Sequence, residues 1–204
     1  MAETSPNARL EAFSDGVFAI ALTLLVLDIK IPNAESIHST GDLWAALLHI
    51  VPSIIAFFLS FVIILITWVN HHAAFQLVNG SSVSGTYANG FLLLTIVIFP
   101  FPTGLVGEYV LTDYAAPAVI LYVGVQALQA VGWIWLAHAA IRHKLAKNER
   151  AKQHIAQNLR YGYYALALYT ACAILAIWFP LAIAITTIAI WIVWLVVGMN
   201  MKRV

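Results

Sequence analysis

The sequence predicts an all-α integral membrane protein whose chain crosses the bilayer six times. Of the 204 residues, 62% are hydrophobic and only 9% are charged, whereas about a quarter of a typical soluble domain is charged. Six apolar segments each approach the length of about 20 residues that a helix needs to cross the hydrocarbon core. Lysine and arginine residues cluster between these segments so that one orientation places nearly all of them on the same side of the membrane.

The six predicted spans follow one another with short connections, and the whole chain, 1–204, is expected to form one membrane domain. The spans are predicted at 10–31, 43–70, 84–106, 115–140, 159–179 and 181–201. Pro180 separates the last two. A single helix across both would be longer than about 40 residues, which is too long for a bilayer about 30 Å thick.

The positive charges predict that both termini are cytoplasmic and that the protein lies in the cell membrane. Nine cations fall on the cytoplasmic side of a six-span chain: Arg9, Arg142, Lys144, Lys147, Arg150, Lys152, Arg160, Lys202 and Arg203. Only Lys30 lies on the other side, where the acids are Asp28, Glu35, Asp42, Glu108 and Asp113. The basic connection at 142–160 is predicted to be a cytosolic helical extension of the fourth span.

The first apolar segment carries polar residues in unusual places. Only twelve residues separate Asp15 from Asp28, too few to cross hydrocarbon with lipid all round. This helix is therefore expected inside a protein assembly or beside water. At 100° per residue, Ile20, Leu24 and Leu27 form one stripe along the helix. Plain helix packing would also account for such a stripe.

Two interpretations fit Ser14 and Asp15, which fall on the far side of the helix from Ile20. Short oxygen-bearing side chains cap the free amides at the start of many helices. Alternatively, these residues belong to a buried polar network at the cytosolic end. The best partners in the sequence are then Arg9, on the same segment, and His71 and His72 at the end of the second span.

The first segment and the end of the second carry a longer pattern. It reads Arg9-x-x-x-Phe13-Ser14-Asp15-x-x-Phe18-Ala19-Ile20-x-x-Thr23-Leu24-x-x-Leu27, followed later by Trp68-x-x-His71-His72. With the six-span length and the inside termini, this pattern resembles the transmembrane protein 175 family of potassium channels. The single six-span unit is similar to the short microbial members of that family.

The resemblance implies that the first helix of each chain lines a central pore in a homo-oligomer, a tetramer in the short members. By matching positions it assigns the narrowest constriction to Ile20, further apolar lining to Leu24 and Leu27, and potassium preference to Thr23. The Thr23 hydroxyl is equally well explained by a hydrogen bond to the carbonyl of Ala19 or Ile20. The resemblance also implies a cytosolic-side network that holds the pore helix, formed by Arg9, Phe13, Ser14, Asp15, Trp68, His71 and His72.

The implied function is a potassium-selective, leak-type ion channel with a hydrophobic constriction instead of a carbonyl filter. The chain has no Thr-Val-Gly-Tyr-Gly-like filter sequence and no arginine-rich span that would sense voltage. A secondary transporter is the main alternative, because Pro52, Pro100 and Pro102 interrupt two spans. A proton-conducting channel of the same architecture and a non-conducting scaffold are also possible.

Other chemistry is not expected from this sequence. The adjacent His71 and His72 lie about 100° apart on a helix, so they cannot chelate one metal ion as an i, i+4 pair would. The sequence contains no Ser-His-Asp pattern, phosphate loop or paired carboxylates at one membrane depth. We therefore expect no enzymatic activity, no metal site, no cofactor beyond the permeant potassium ion and no nucleic-acid partner. The expected partners are the lipid bilayer and further copies of the chain.

Overall fold

The structure, a computed structural model, describes residues 7–200, without the side chains of residues 195 and 197–200. These residues form an α-helical bundle. Its helices are α1 (Ala8–Leu24), α2 (Thr40–His49), α3 (Val51–Gln76), α4 (Val83–Ile98), α5 (Pro100–Tyr109), α6 (Ala115–Arg142), α7 (Glu149–Leu175) and α8 (Pro180–Asn200). Short 3₁₀ helices at Leu25–Asp28 and Ala34–Ser36 follow α1.

Among the described residues, four segments are long and apolar enough to cross a membrane: Ala8–Asp28, Val51–Gln76, Val83–Tyr109 and Ala115–Arg142. In the fifth predicted span, α7 begins with charged turns and does not reach the same hydropathy. In the sixth, α8 is a shorter apolar helix over Pro180–Trp194. Met201, the predicted end of the sixth span, lies outside the described residues. The all-helical membrane class is thus confirmed, while the count of six spans stays a prediction.

Two predicted spans are each divided into two helices. The second span breaks at Ile50, between α2 and α3, because Pro52 in the first turn of α3 has no amide to donate. The third span breaks at Phe99, between α4 and α5, where Pro100 and Pro102 remove two more donors. The amide of Phe99 instead donates to the Ile96 carbonyl, 3.2 Å away, which tightens the last turn of α4.

The basic connection at 142–160 is not a helical extension of the fourth span, as the sequence analysis expected. Helix α6 ends at Arg142 and a turn follows, in which Lys144 has a left-handed φ of 54°. A new helix, α7, begins at Glu149. The side chain of Asn148 caps it by accepting a 2.8 Å hydrogen bond from the amide of Ala151. The helical part of the basic segment therefore belongs to α7.

Helix α6 occupies the centre of the bundle and packs against α4, α5, α7 and α8, while α1 packs against α3 and α4. A buried hydroxyl cluster joins three helices within this core. The Ser60 hydroxyl lies 2.7 Å from the Thr103 hydroxyl and 3.0 Å from the Tyr122 hydroxyl. The start of α1, the end of α3, the start of α4, the end of α6 and the start of α7 meet at one end of the bundle. We call it the basic end because Arg9 and residues 142–160 lie there.

The candidate pore helix and its polar support

Helix α1 has one face that the chain buries and another that it leaves uncovered. The buried face consists of Ser14, Phe18, Ala21 and, in the following 3₁₀ turn, Leu25. On the other face the side chains of Ile20, Leu24 and Leu27 are 60%, 41% and 72% exposed. These three residues, which we call the exposed stripe, are the ones that the helical wheel grouped together. The described residues of one chain therefore leave much of their surface uncovered.

The change from α-helix to 3₁₀ helix after Leu24 keeps the exposed stripe straight. A 3₁₀ helix has three residues per turn, so residues i and i+3 are eclipsed. Leu27 consequently lies directly along the axis from Leu24, whereas in a continued α-helix it would be rotated by about 60°. The amide of Leu25 still donates to the carbonyl of Ala21, one α-helical turn earlier, so Leu25 shares the buried face with Ala21 and is itself fully buried.

Thr23 lies beside the exposed stripe and is itself exposed. Its hydroxyl donates a 2.8 Å hydrogen bond to the carbonyl of Ile20, one of the two backbone bonds that the sequence analysis weighed. A hydroxyl that donates to its own helix still has lone pairs that can accept a hydrogen bond or face a cation. The backbone bond and a role beside the stripe are therefore compatible.

A chain of buried hydrogen bonds ties the start of α1 to α3 and α4. The Ser14 hydroxyl donates to the Leu10 carbonyl at 2.8 Å and accepts a 3.0 Å hydrogen bond from the side-chain nitrogen Nδ2 of Asn89. The amide oxygen of Asn89 lies 2.7 Å from Nε2 of His71. Because that oxygen can only accept, Nε2 of His71 is assigned as the protonated nitrogen. Ser14, His71 and Asn89 are all buried.

The His71 imidazole also packs against aromatic rings from two elements. Its centroid lies 4.5 Å from that of Phe75 in a stacked arrangement and 5.4 Å from that of Phe18 in an edge arrangement. Phe18 belongs to the buried face of α1. His71 thus contacts the candidate pore helix directly through Phe18 and indirectly through Asn89 and Ser14.

Asp15 has a different partner from those that the sequence analysis favoured. The indole Nε1 of Trp68 donates a 2.8 Å hydrogen bond to Oδ1 of Asp15, which joins α3 to α1. We call the five residues that fasten α1 to its neighbours the polar support: Ser14, Asp15, Trp68, His71 and Asn89.

For three other residues of the predicted network, the described part of the chain shows no hydrogen bond or ion pair to this support. Arg9 and Phe13 are exposed, and no ion pair links Arg9 to Asp15 within the described part of the chain. The Nε2 atom of His72 lies 3.0 Å from the side-chain nitrogen of Gln76 on its own helix. The role of Arg9, Phe13 and His72 in holding α1 stays a prediction.

The capping interpretation of Ser14 and Asp15 is wrong. Helix α1 begins at Ala8 with Asn7 as its N-cap residue, so both residues lie inside the helix, well past its first free amides. Asn89, which the sequence analysis did not single out, is the link between Ser14 and His71. It is the only asparagine in an otherwise mostly apolar α4. A buried amide in such a helix is a signal that could have identified it.

The described residues contain no group of three or more His, Cys, Asp and Glu side chains that could hold a metal ion. The candidate site consists of an apolar stripe on one helix and a hydrogen-bonded support on the other side of that helix.

Comparison with known proteins identifies the family. Residues 9–100, which include the exposed stripe and the polar support, match the family model described as endosomal/lysosomal potassium channel TMEM175. A curated potassium channel from Chamaesiphon minutus is 38% identical over 187 residues, which cover 89% of this chain and 91% of that protein. The chain belongs to the TMEM175 family. It is a membrane protein and an ion channel, as the resemblance in its sequence implied.

Solved structures of TMEM175 proteins agree with the fold. The crystal structure of a lysosomal potassium-selective channel TMEM175 homolog from Chamaesiphon minutus matches with a TM-score of 0.79 and 34% sequence identity, and the match covers 94% of this chain and 97% of that one. The potassium channel MtTMEM175, solved as a variant in complex with a nanobody fusion protein, matches with a TM-score of 0.65 at 18% identity, which shows the fold alone. A chicken protein named endosomal/lysosomal proton channel TMEM175 is 38% identical over 118 residues, which make up 22% of its length.

Proposed function

We propose that this TMEM175 chain forms a potassium-selective leak channel in which several copies, most simply four, place their α1 helices around a central pore. Ile20, Leu24 and Leu27 of each copy form its hydrophobic constriction. The exposed stripe is the observation that supports this proposal. Three large apolar side chains lie in line on a helix whose opposite face is buried. The twelve residues between Asp15 and Asp28 make lipid an unsuitable cover for that helix.

Selectivity in such a pore arises from dehydration. Branched apolar side chains offer no carbonyl or carboxylate oxygen to replace the water around an ion. Potassium holds its hydration water less tightly than sodium does, so a narrow apolar ring presents the lower barrier to potassium. A difference of about 1.4 kcal/mol between the two barriers gives tenfold selectivity. The lone pairs of Thr23 can offset part of the dehydration cost next to the Ile20 ring.

The polar support would hold α1 in the orientation that directs the exposed stripe toward the pore. Ser14, Asp15 and Phe18 all lie on faces of α1 other than that of Ile20, and each contacts another helix. A rotation of α1 about its axis would break these contacts. Apolar rings can also close a pore by dewetting. By resisting rotation of α1, the polar support would therefore influence the fraction of time in which the pore is filled with water.

The proposed topology has six spans, with both termini and the basic end in the cytoplasm and the protein in the cell membrane. The cations of residues 142–160 support it, because cytoplasmic connections are enriched in lysine and arginine. Five acids against one lysine on the opposite side would concentrate cations near the outer mouth.

Planar-bilayer recordings under a potassium–sodium bi-ionic gradient test the proposal. The purified wild type is compared with Ile20→Asn and with Val26→Asn, a control on the adjacent 3₁₀ turn that is 52% exposed but lies off the stripe. We expect the wild-type current to reverse toward the potassium equilibrium potential. Ile20→Asn should lose most of this preference and conduct more, whereas Val26→Asn should behave as the wild type.

Equal effects of the two asparagine variants would contradict the assignment of the constriction to Ile20. Absence of current from intact wild-type oligomers, with current from Ile20→Asn, would mean that the ring is a closed gate rather than a leak pathway. Uptake of a substrate against its gradient without channel current would instead support a secondary transporter.

Proton conduction through the same pore is the second candidate, because several vertebrate relatives carry the name proton channel. A pH gradient imposed at equal potassium concentrations distinguishes the two ions. A reversal potential that follows the proton gradient would assign the current to protons, and one that stays at zero would assign it to potassium.

A further inference from the structure

One cavity among the described residues lies away from the exposed stripe. It has a volume of about 170 Å³, is not sealed from the outside of the chain, and lies toward the basic end between α3, α6 and α7. Its volume is close to the roughly 150 Å³ of an apolar protein cavity known to admit benzene. A cavity of this size accepts a hydrocarbon chain or a ring.

The cavity walls are mostly apolar. They include Ile66 and Phe75 from α3, Ala130 and Ala137 from α6, and Ala165 from α7. Because α3 and α6 are both candidate membrane spans, the medium outside an opening between them would be lipid. An apolar cavity in that position has a lower free energy when an acyl chain from the bilayer fills it than when water does.

The cavity also reaches polar groups near the basic end. Tyr161 lines it, and its hydroxyl oxygen accepts a 2.9 Å hydrogen bond from the side chain of Gln157, so the hydroxyl proton is free to be donated. Asn158, one turn away on α7, lines it as well. Donors at this position suit the ester carbonyls that join acyl chains to a lipid headgroup.

Positive charge lies at the same end of the cavity. Leu145 lines it, and this residue lies in the turn after α6 between the exposed Lys144 and Lys147. The backbone holds this turn in place: the amide of Asn79 donates to the Leu145 carbonyl at 2.8 Å, and the amide of Lys147 donates to the Leu77 carbonyl at 3.0 Å. The turn is thus tied to the loop between α3 and α4, and the two lysines flank in sequence a segment whose Leu145 lines the cavity.

We propose that this cavity is a binding site for an anionic phospholipid, with one acyl chain between α3, α6 and α7 and the phosphate beside Lys144 and Lys147. The site is separate from the proposed pore and does not depend on the permeant ion. Asn70, which lines the cavity, directly precedes His71 of the polar support. A bound chain would therefore pack against the helix that fastens α1.

Native mass spectrometry of the detergent-purified protein, incubated with equal amounts of phosphatidylglycerol and phosphatidylcholine of the same acyl composition, tests the site. We expect phosphatidylglycerol to be retained in preference by about thirtyfold, since each of the two lysines beside an anionic headgroup contributes roughly 1 kcal/mol. Lys144→Gln/Lys147→Gln should abolish the preference. The control Lys152→Gln/Arg160→Gln removes the same net charge from α7 away from the cavity wall and should preserve it.

The acyl chain is tested separately with Ala137→Phe, which fills the cavity from α6, and Leu128→Phe, a control on the same helix that is 52% exposed and outside the cavity. Ala137→Phe should lose retention of both lipids, and Leu128→Phe should retain them. Equal retention by these two variants would overturn the acyl-chain placement, and equal losses in the two charge variants would overturn the headgroup placement.

A second measurement requires no cavity-filling variant. Phosphatidylglycerol with a dibrominated acyl chain quenches nearby tryptophan fluorescence, and Trp133 lines the cavity. In detergent, with only a few molecules of this lipid added per chain, the quenched fraction should fall in Trp133→Phe more than in Trp135→Phe, whose parent residue is 40% exposed on the outside of α6. Quenching that is unchanged in Trp133→Phe would show that no acyl chain enters the cavity.

Discussion

The indole of Trp68 and the carboxylate of Asp15 join α3 to the candidate pore helix through a 2.8 Å hydrogen bond. The two residues are 53 positions apart in the sequence. A neutral donor, not a cation, thus faces the one acid in the second turn of α1. Bonds to a charged acceptor are stronger than neutral ones, and this one is partly exposed, with Trp68 36% accessible.

Replacing Trp68 by Phe should lower the free energy of unfolding by about 1 kcal/mol, because the variant keeps most of the ring and loses only the donor. Thermal unfolding in detergent measures the loss. The matched control is Trp135→Phe, whose indole donates a longer bond of 3.2 Å to the neutral Ser84 hydroxyl, and it should cost less. Equal costs in the two variants would show that the Asp15 charge contributes nothing.

Replacing Asn89 by Leu should be the most damaging single change in the polar support. It removes the group that joins His71 to Ser14 and leaves both without that partner in a buried position. The expected cost is roughly 2 to 4 kcal/mol. Thr95→Val serves as the control in the same helix, since the buried Thr95 hydroxyl donates to a backbone carbonyl of that helix, that of Leu92. A cost for Asn89→Leu no larger than that of the control would mean that Asn89 is dispensable.

The bundle depends on a glycine where α5 crosses α3. A Cβ atom added to Gly107 would lie 2.7 Å from the Cα of Ser53, a backbone atom that cannot move alone. Gly107→Ala should therefore destabilise the protein by about 1 to 3 kcal/mol. Gly124→Ala is the matched control in α6, where nothing lies within 4 Å of the added carbon. That control should be neutral or stabilising by up to about 1 kcal/mol.

The buried hydroxyl cluster of Ser60, Thr103 and Tyr122 should respond non-additively to substitution. Tyr122→Phe removes one hydroxyl while Ser60 keeps its contact with Thr103, so the cost should be about 1 kcal/mol. Ser60→Ala leaves the buried Tyr122 hydroxyl without its partner and should cost about twice as much. In the double variant that hydroxyl is gone, so the combined loss should be smaller than the sum. Strict additivity would show that the two hydroxyls do not interact.

The sequence predicted the helical class and the grouping of Ile20, Leu24 and Leu27, because both follow from periodicity within one helix. Proline positions indicated that the second and third spans are interrupted, but not that their helices separate at Ile50 and Phe99. Prolines are tolerated in membrane helices when neighbours satisfy the freed backbone groups, and whether a helix breaks depends on those neighbours. The turn after Arg142 was missed because its strongest signal is a left-handed Lys144 rather than a glycine.

Contacts between distant helices could not be derived from the spacing of residues. Asn89 and Ser14 are 75 positions apart, and nothing in a helical wheel reports which face of α4 meets α1. The resemblance to the family directed attention to Trp68 and His71, but Asn89 lies outside the pattern that carried it. Which residues form hydrogen bonds across such long sequence separations depends on how whole helices pack, and local sequence patterns do not determine that packing.

The 3₁₀ turn at the end of α1 fixes the distance over which a permeating ion would be stripped of water. Four α-helical steps separate Ile20 from Leu24 and three longer 3₁₀ steps separate Leu24 from Leu27, so the exposed stripe extends about 12 Å along the axis. If the stripe lines the pore, a permeating ion would travel that length between apolar side chains. Such a neck passes ions slowly even when it is open, and a small unitary conductance follows from its length as much as from its width.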